Sequence, residues 1–220
     1  MKNASQFNRK DIPKSWRIVP FWSLFKRTKK TGFAQEELLS VYRDYGVIPK
    51  SSRDDNHNKE SEDLSRYQLV TEGSLVTNKM KAWQGSIAIS RHRGIVSPAY
   101  YVYIPLSSES DQYIHYLLRS DPYIALYKQI SKGVRINQWD LEHEALRKIS
   151  IPLPDFQTQN AIANFLDKET NRIDLLIEKK ITLIKLLNEK RSSTISNLVS
   201  KGVVTTNNFK NSEEDWIGKI

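Results

Sequence analysis

The chain has 220 residues, enough to bury a proper core and to form one good-sized domain with an accessory element. With 39% hydrophobic and 27% charged residues, five Trp and ten Tyr, it has the composition of a folded protein rather than a disordered one. The absence of cysteine excludes disulfides, thiolate metal sites and thiol catalysis. Net charge is +9, which favours polyanionic partners, and residues 1–154 hold 24 Lys and Arg against 16 Asp and Glu. The first residues, Met1-Lys2-Asn3-Ala4-Ser5-Gln6, carry no apolar leader, and no run of 18 apolar residues follows. The expectation is a soluble cytoplasmic protein with no membrane association.

In chain order, β-branched and aromatic runs predict strands over Leu38 to Tyr42, Ser74 to Met80, Ser86 to Ser90 and Ala99 to Leu106. Gly46, Gly73, Gly85, Gly94 and Pro98 separate them as turns. The polar stretch Arg53 to Arg66 reads as a surface loop. Ser110 to Leu118 and Pro122 to Ile130 carry apolar residues at spacings of three and four and predict two short helices. Pro152 and Pro154 force an extended segment, after which Asp155 is placed to cap a helix.

From Gln157 to Lys201 there is neither Pro nor Gly, and Gly202 follows as a favoured stop. This predicts about 45 residues of helix, approaching 70 Å if continuous. Leu166, Ile173, Leu187 and Thr194 recur on a seven-residue period, interleaved with Ile177, Ile184 and Leu198, while Lys180 and Arg191 interrupt the seam. Such a stripe needs a covering helix, in this chain or another. The fold class expected is α+β: a globular α/β domain over 1–154, a long coiled-coil-forming helix over 155–202, and a tail over 203–220. The tail's Trp216-Ile217-Gly218-Lys219-Ile220 echoes Trp16-Arg17-Ile18, as though a second copy of the first domain began there.

Motifs for chemistry fail one by one. The eight glycines form no phosphate-binding loop, and His143-Glu144 begins an HExxH whose second imidazole is replaced by Arg147. No Asn-Pro-Pro-aromatic methyltransferase motif occurs. Pro154-Asp155 with Glu178-Lys179-Lys180 fits the bare PD…ExK string of Mg²⁺ nucleases, yet Glu178 and Lys180 point about 200° apart around a helix. No catalytic, metal or cofactor residue is assigned.

Two stretches carry a resemblance. The run Asp155-Phe156-Gln157-Thr158-Gln159, Ile162-Ala163-Asn164-Phe165-Leu166-Asp167-Lys168-Glu169-Thr170, Ile173-Asp174, Leu176-Ile177 and Leu183-Ile184 through Glu189-Lys190-Arg191 closely resembles the helical spacer of type I restriction-modification specificity subunits. Glu72-Gly73-Ser74-Leu75-Val76-Thr77-Asn78-Lys79-Met80, with Trp83 and Gly85, and Gly94-Ile95-Val96-Ser97-Pro98-Ala99-Tyr100 is similar to the family's target recognition domain.

The resemblance implies a non-catalytic subunit that reads double-stranded DNA and directs methyltransferase and restriction subunits to a split target. A full specificity subunit has two recognition domains and two spacers; this chain holds one of each. A homodimer through antiparallel spacer helices is therefore expected, with Leu166, Ile173, Ile177, Ile184, Leu187 and Leu198 as its interface. Candidate DNA contacts are Lys79 and Lys81 beside Trp83, Arg91 and Arg93 beyond the next strand, and Arg43, Lys50, Arg53 and Arg135 in loops. Two other readings remain open at this point: a free-standing dimeric DNA-binding protein and, more distantly, the Mg²⁺ nuclease.

Overall fold

The computed structural model describes residues 12–53, 61–133 and 139–202. In chain order the elements are β1 (Arg17–Pro20), α1 (Phe21–Leu24), β2 (Phe25–Thr28), β3 (Leu39–Tyr42), β4 (Gly46–Pro49), a 3-10 turn (Lys50–Ser52), β5 (Gln68–Val70), β6 (Leu75–Asn78), a second 3-10 turn (Ala82–Gln84), β7 (Ile87–Ile89), β8 (Gly94–Val96) and β9 (Tyr100–Pro105). There follow α2 (Asp111–Arg119), α3 (Asp121–Ile130), β10 (Ser131–Lys132), β11 (Asp140–Leu141), α4 (His143–Leu146), β12 (Ser150–Leu153) and α5 (Phe156–Lys201). The architecture is α+β, with a sheet-rich N-terminal part and one long C-terminal helix.

The centre is an antiparallel sheet in the order β2-β9-β6-β7. Side chains alternate across a strand, so each strand feeds two cores. On one face Phe25, Leu75, Ile87, Ile89 and Tyr103 meet Tyr113, Ile114 and Leu118 of α2 and Tyr123, Leu126 and Tyr127 of α3. On the other, Val76, Ala88 and Val102 meet Leu39, Val41 and Val47 of the β3-β4 pair and Val70 and Val96 of the β5-β8 pair. Cover on both faces explains why the inner strand β6 and its neighbour β7 are buried almost throughout, whereas β2 at the other edge buries only Phe25 and exposes Lys26 and Arg27.

The expected strands and both short helices are present. Ser110 caps α2 by accepting the Tyr113 N–H, and Pro122 stands in the first turn of α3. Gly94 is required by close approach: an added Cβ would collide with the Glu37 carbonyl, to which Ile95 N–H donates at 2.8 Å. The extended segment expected before the long helix is β12, which pairs antiparallel with β1 so that Arg17 faces Leu153.

Asp155 caps α5: Oδ1 accepts Thr158 N–H at 2.9 Å and Oδ2 accepts the Thr158 hydroxyl at 2.7 Å. Those bonds hold its carboxyl below the usual carboxylate range. At the far end Gly202, at φ +72°, closes the helix by donating to Leu198 O at 3.0 Å.

The chain divides into a unit ending at Asn164 and a second beginning at Phe165. The first turns of α5 thus belong to the globular unit, where Gln159 and Ala163 are buried, and its edge lies beyond the Pro154 boundary expected from sequence. The second unit is described only as the helix from Phe165 to Lys201, whose Ile173, Ile177, Ile184, Leu187 and Leu198 are all exposed. Among the described residues no helix is long and apolar enough to cross a membrane. The tail expected to begin a second repeat lies outside the described residues.

Candidate nucleic-acid interface

Two turns create the main surface feature. The first joins β3 to β4 through Arg43, Asp44 and Tyr45, and closes tightly because Gly46 accepts φ +76°. The second joins β6 to β7: its 3-10 turn is ended by Gly85 at φ +90°, and Ala82 is fully buried beneath it. Between them lies an open groove of about 380 Å³ lined by Val41, Tyr42, Arg43, Asp44, Tyr45, Arg53, Lys81, Gln84 and Ser86.

Three of the cations picked out from sequence therefore share one groove. The Arg53 guanidinium lies 4.6 Å from the Tyr45 ring centroid and 5.3 Å from that of Tyr42. Cation–π contact of this kind fixes the plane of an arginine fork and orients its edge. Arg43 Nε stands 3.5 Å from Asp44 Oδ1, both side chains being well exposed. An exposed pair of that length holds weakly. Arg119 braces the turn from behind, donating to the carbonyls of Arg43 and Ile87.

Lys79 belongs to a neighbouring cluster. Its Nζ lies 5.0 Å above the Tyr101 ring, and Arg27 of β2 lies 4.4 Å from the same ring. The Tyr101 ring packs at a tilt on His143, centroids 5.5 Å apart, and His143 Nδ1 is 2.9 Å from the Tyr103 hydroxyl. Burial pushes the Tyr103 hydroxyl up and His143 down, and the nearby Arg27 charge pulls both downward. Trp83 is half-buried; it packs at 5.1 Å on Trp139 and donates its indole N–H to Met80 O, so it works as a strut of the turn.

The remaining candidates lie apart from the groove lining. Arg91 donates to Gln112 at 2.5 Å, and Arg93 grips Glu36 through Nε at 2.9 Å and Nη2 at 2.7 Å. Lys50 is half-buried in the first 3-10 turn. Arg135 lies outside the described residues. Sequence reading passed over Arg27 and Gln84. The run Lys26-Arg27-Thr28-Lys29-Lys30 was a usable signal for the first, whereas nothing in the row distinguishes the second.

The nuclease string finds no support in this geometry. The Asp155 carboxylate is engaged with Thr158 as a helix cap, and Glu178 and Lys180 are exposed residues in mid-helix. His143, the first position of the broken HExxH, is turned to Tyr103.

Residues 13–186 match the family described as the type I restriction modification DNA specificity domain. The chain belongs to that family. Solved structures of similar fold include the HsdS subunit from Thermoanaerobacter tengcongensis, at 15% identity and TM-score 0.55, covering 93% of this chain and 52% of that one. A chain from a study of complex assembly and conformational transition of the type I R-M system matches at 14% identity and TM-score 0.51, over 91% of this chain and 54% of that one. The type I restriction-modification S subunit from M. genitalium is 17% identical with TM-score 0.48, over 88% and 48%. This specificity-domain chain thus spans about half the length of the solved chains it matches.

Within the family frame, the groove lies on the globular unit, while the expected interface residues lie on α5, from half-buried Leu166 to exposed Leu198. The helix is also apolar off the heptad. Leu175 and Leu186 are exposed about 180° and 200° around from Leu166.

Proposed function

We propose that this chain is the DNA sequence-recognition half of a type I restriction-modification specificity subunit: a non-catalytic protein that chooses where partner methyltransferase and restriction subunits act. The observation that carries the reading is the specificity-domain match across residues 13–186. The chemistry of the globular unit agrees with it. Arg43, Arg53 and Lys81 concentrate positive charge in one open groove, and phosphate attraction of that kind supplies the sequence-independent part of DNA affinity. Lys79 and Arg27 extend the positive surface from the neighbouring cluster, with Lys50, Arg91, Arg93 and Arg135 as further candidate DNA contacts.

In this reading the globular unit and first turns of α5 form the target recognition domain, the rest of α5 is the spacer, and 203–220 opens toward a second repeat. Two copies pair antiparallel through Leu166, Ile173, Ile177, Ile184, Leu187 and Leu198, placing recognition domains at opposite ends and restoring the two-fold arrangement of a full subunit. The protein works in the cytoplasm, where the DNA is, and needs no cofactor of its own.

The decisive experiment is coexpression with a type I methyltransferase subunit, followed by mapping of methylated sites. The expected result is methylation of one defined split sequence that disappears when this chain is omitted. Methylation that is absent, or indifferent to this chain, overturns the reading.

A further inference from the structure

We propose that Gln84 is a base-reading residue that takes the N7 and N6 edge of an adenine in the major groove. The inference rests on the DNA-recognition reading and adds to it a named residue and a named base.

The groove offers few side chains able to read a base. Its cations suit phosphate or guanine, Asp44 faces Arg43, and Ser86 is buried. Gln84 is exposed, and no described residue hydrogen-bonds its carboxamide.

The backbone beneath Gln84 is unusually well fixed for a surface turn. Gln84 N–H donates to Lys81 O at 3.0 Å, Gly85 N–H to Ala82 O at 2.8 Å, and Ser86 N–H to Lys81 O at 3.2 Å. Ala82 is fully buried, and α3 closes behind the turn so tightly that a Cβ on Gly85 would lie 3.0 Å from Ile124 Cδ1. Binding therefore has to order little more than the Gln84 side chain itself, which keeps the entropic cost low.

A carboxamide has one acceptor and one donor group side by side, matching adenine's N6 donor and N7 acceptor in two parallel bonds. Guanine presents two acceptors on that edge and satisfies only half of the amide. Arg43, Arg53 and Lys81 flank the amide with charge that attracts the phosphates of any duplex. Gln84 is neutral, so it adds discrimination without adding salt dependence.

The test uses the full-length chain and a panel of duplexes carrying each single base-pair change in its mapped target, with affinities measured by anisotropy at several salt concentrations. In Gln84→Ala, discrimination against replacement of one A·T pair should fall by about 5- to 100-fold. Other positions and the salt slope should stay as in the parent. Lys81→Ala should do the converse, weakening every duplex and reducing the slope by about one. If the parent discriminates among duplexes and Gln84→Ala discriminates identically, or loses affinity uniformly at all positions, Gln84 is not a reader and the inference alone fails. If the parent discriminates among none, the DNA-recognition reading fails with it.

Discussion

Gln159 fastens the start of the long helix to the globular unit through Ser110: its Oε1 accepts the Ser110 N–H at 2.9 Å while its Nε2 donates to Glu109 Oε2 at 2.6 Å and to Pro154 O at 3.0 Å. Glu109 in turn meets Arg17 of β1 at 3.2 Å. One fully buried carboxamide thus ties together the first strand, the cap of α2 and the first turns of α5. Truncating it in Gln159→Leu strands a buried donor and a buried acceptor, each costing about 1–3 kcal/mol. The variant should lose about 2 kcal/mol or more in urea unfolding. A loss within about 0.5 kcal/mol would mean that water or a neighbour replaces the amide.

The second prediction concerns pH. His143 has its pKa lowered, first by burial and then by Arg27, against the raising effect of Glu144. Above about pH 6.5 both folded and unfolded imidazoles are neutral, and the native contact with Tyr103 is undisturbed. As pH falls below that, the unfolded chain takes up the proton first, so native stability declines until the folded imidazole also protonates. In His143→Gln this contribution is absent. Comparing urea midpoints at pH 7.5 and 5.5, the parent should lose more stability than the variant; equal losses would show that His143 protonates without cost.

Much of this was legible in the row of residues, for local reasons. β6, β7 and β9 are β-branched and aromatic runs bounded by glycine or proline, and α5 is a long stretch without either residue. What escaped reading is non-local or very short. β5 and β8 hold three residues each, and β5 lies after a polar loop with no glycine or proline beside it to mark its start; their pairing brings Gln68 opposite Val96. The extended character of Ser150–Leu153 was written in its prolines, but its partner β1 stands at the other end of the domain. In the candidate site, charge could be read and grouping could not: Arg43, Arg53 and Lys81 converge because two turns meet, whereas Arg93 is drawn to Glu36. Leu175 and Leu186 stay off the expected interface because a heptad template has no place for them.

Arg27 and Lys79, which share the Tyr101 ring, supply the third prediction. If both contact phosphate, Arg27→Ala and Lys79→Ala each weaken binding to every duplex and reduce the slope of log K against log salt by about one. The double variant should reduce it by about two. Unaltered slopes would confine the DNA face to the groove beside Gln84 and leave Arg27 and Lys79 as supports for Tyr101.

The last prediction follows from the uncovered stripe on α5. An exposed apolar seam is stable only when another helix covers it, and a second copy of the chain offers the same residues in opposed orientation. Leu187→Glu or Ile184→Glu puts a carboxylate into that seam, where burying it without a partner costs several kcal/mol, and should abolish self-association. Leu186→Glu is the control: it lies about 100° around the helix from Leu187 and should leave the dimer intact. The globular unit should unfold at the parent's midpoint in all three, since these residues are exposed and belong to neither of its buried clusters. Because a two-fold dimer presents identical readers in opposite directions, its methylated target should be an interrupted palindrome whose gap is set by helix length. Light scattering at micromolar concentration and site mapping together test the scheme; a monomeric parent whose methyltransferase complex modifies a non-palindromic sequence would sink it.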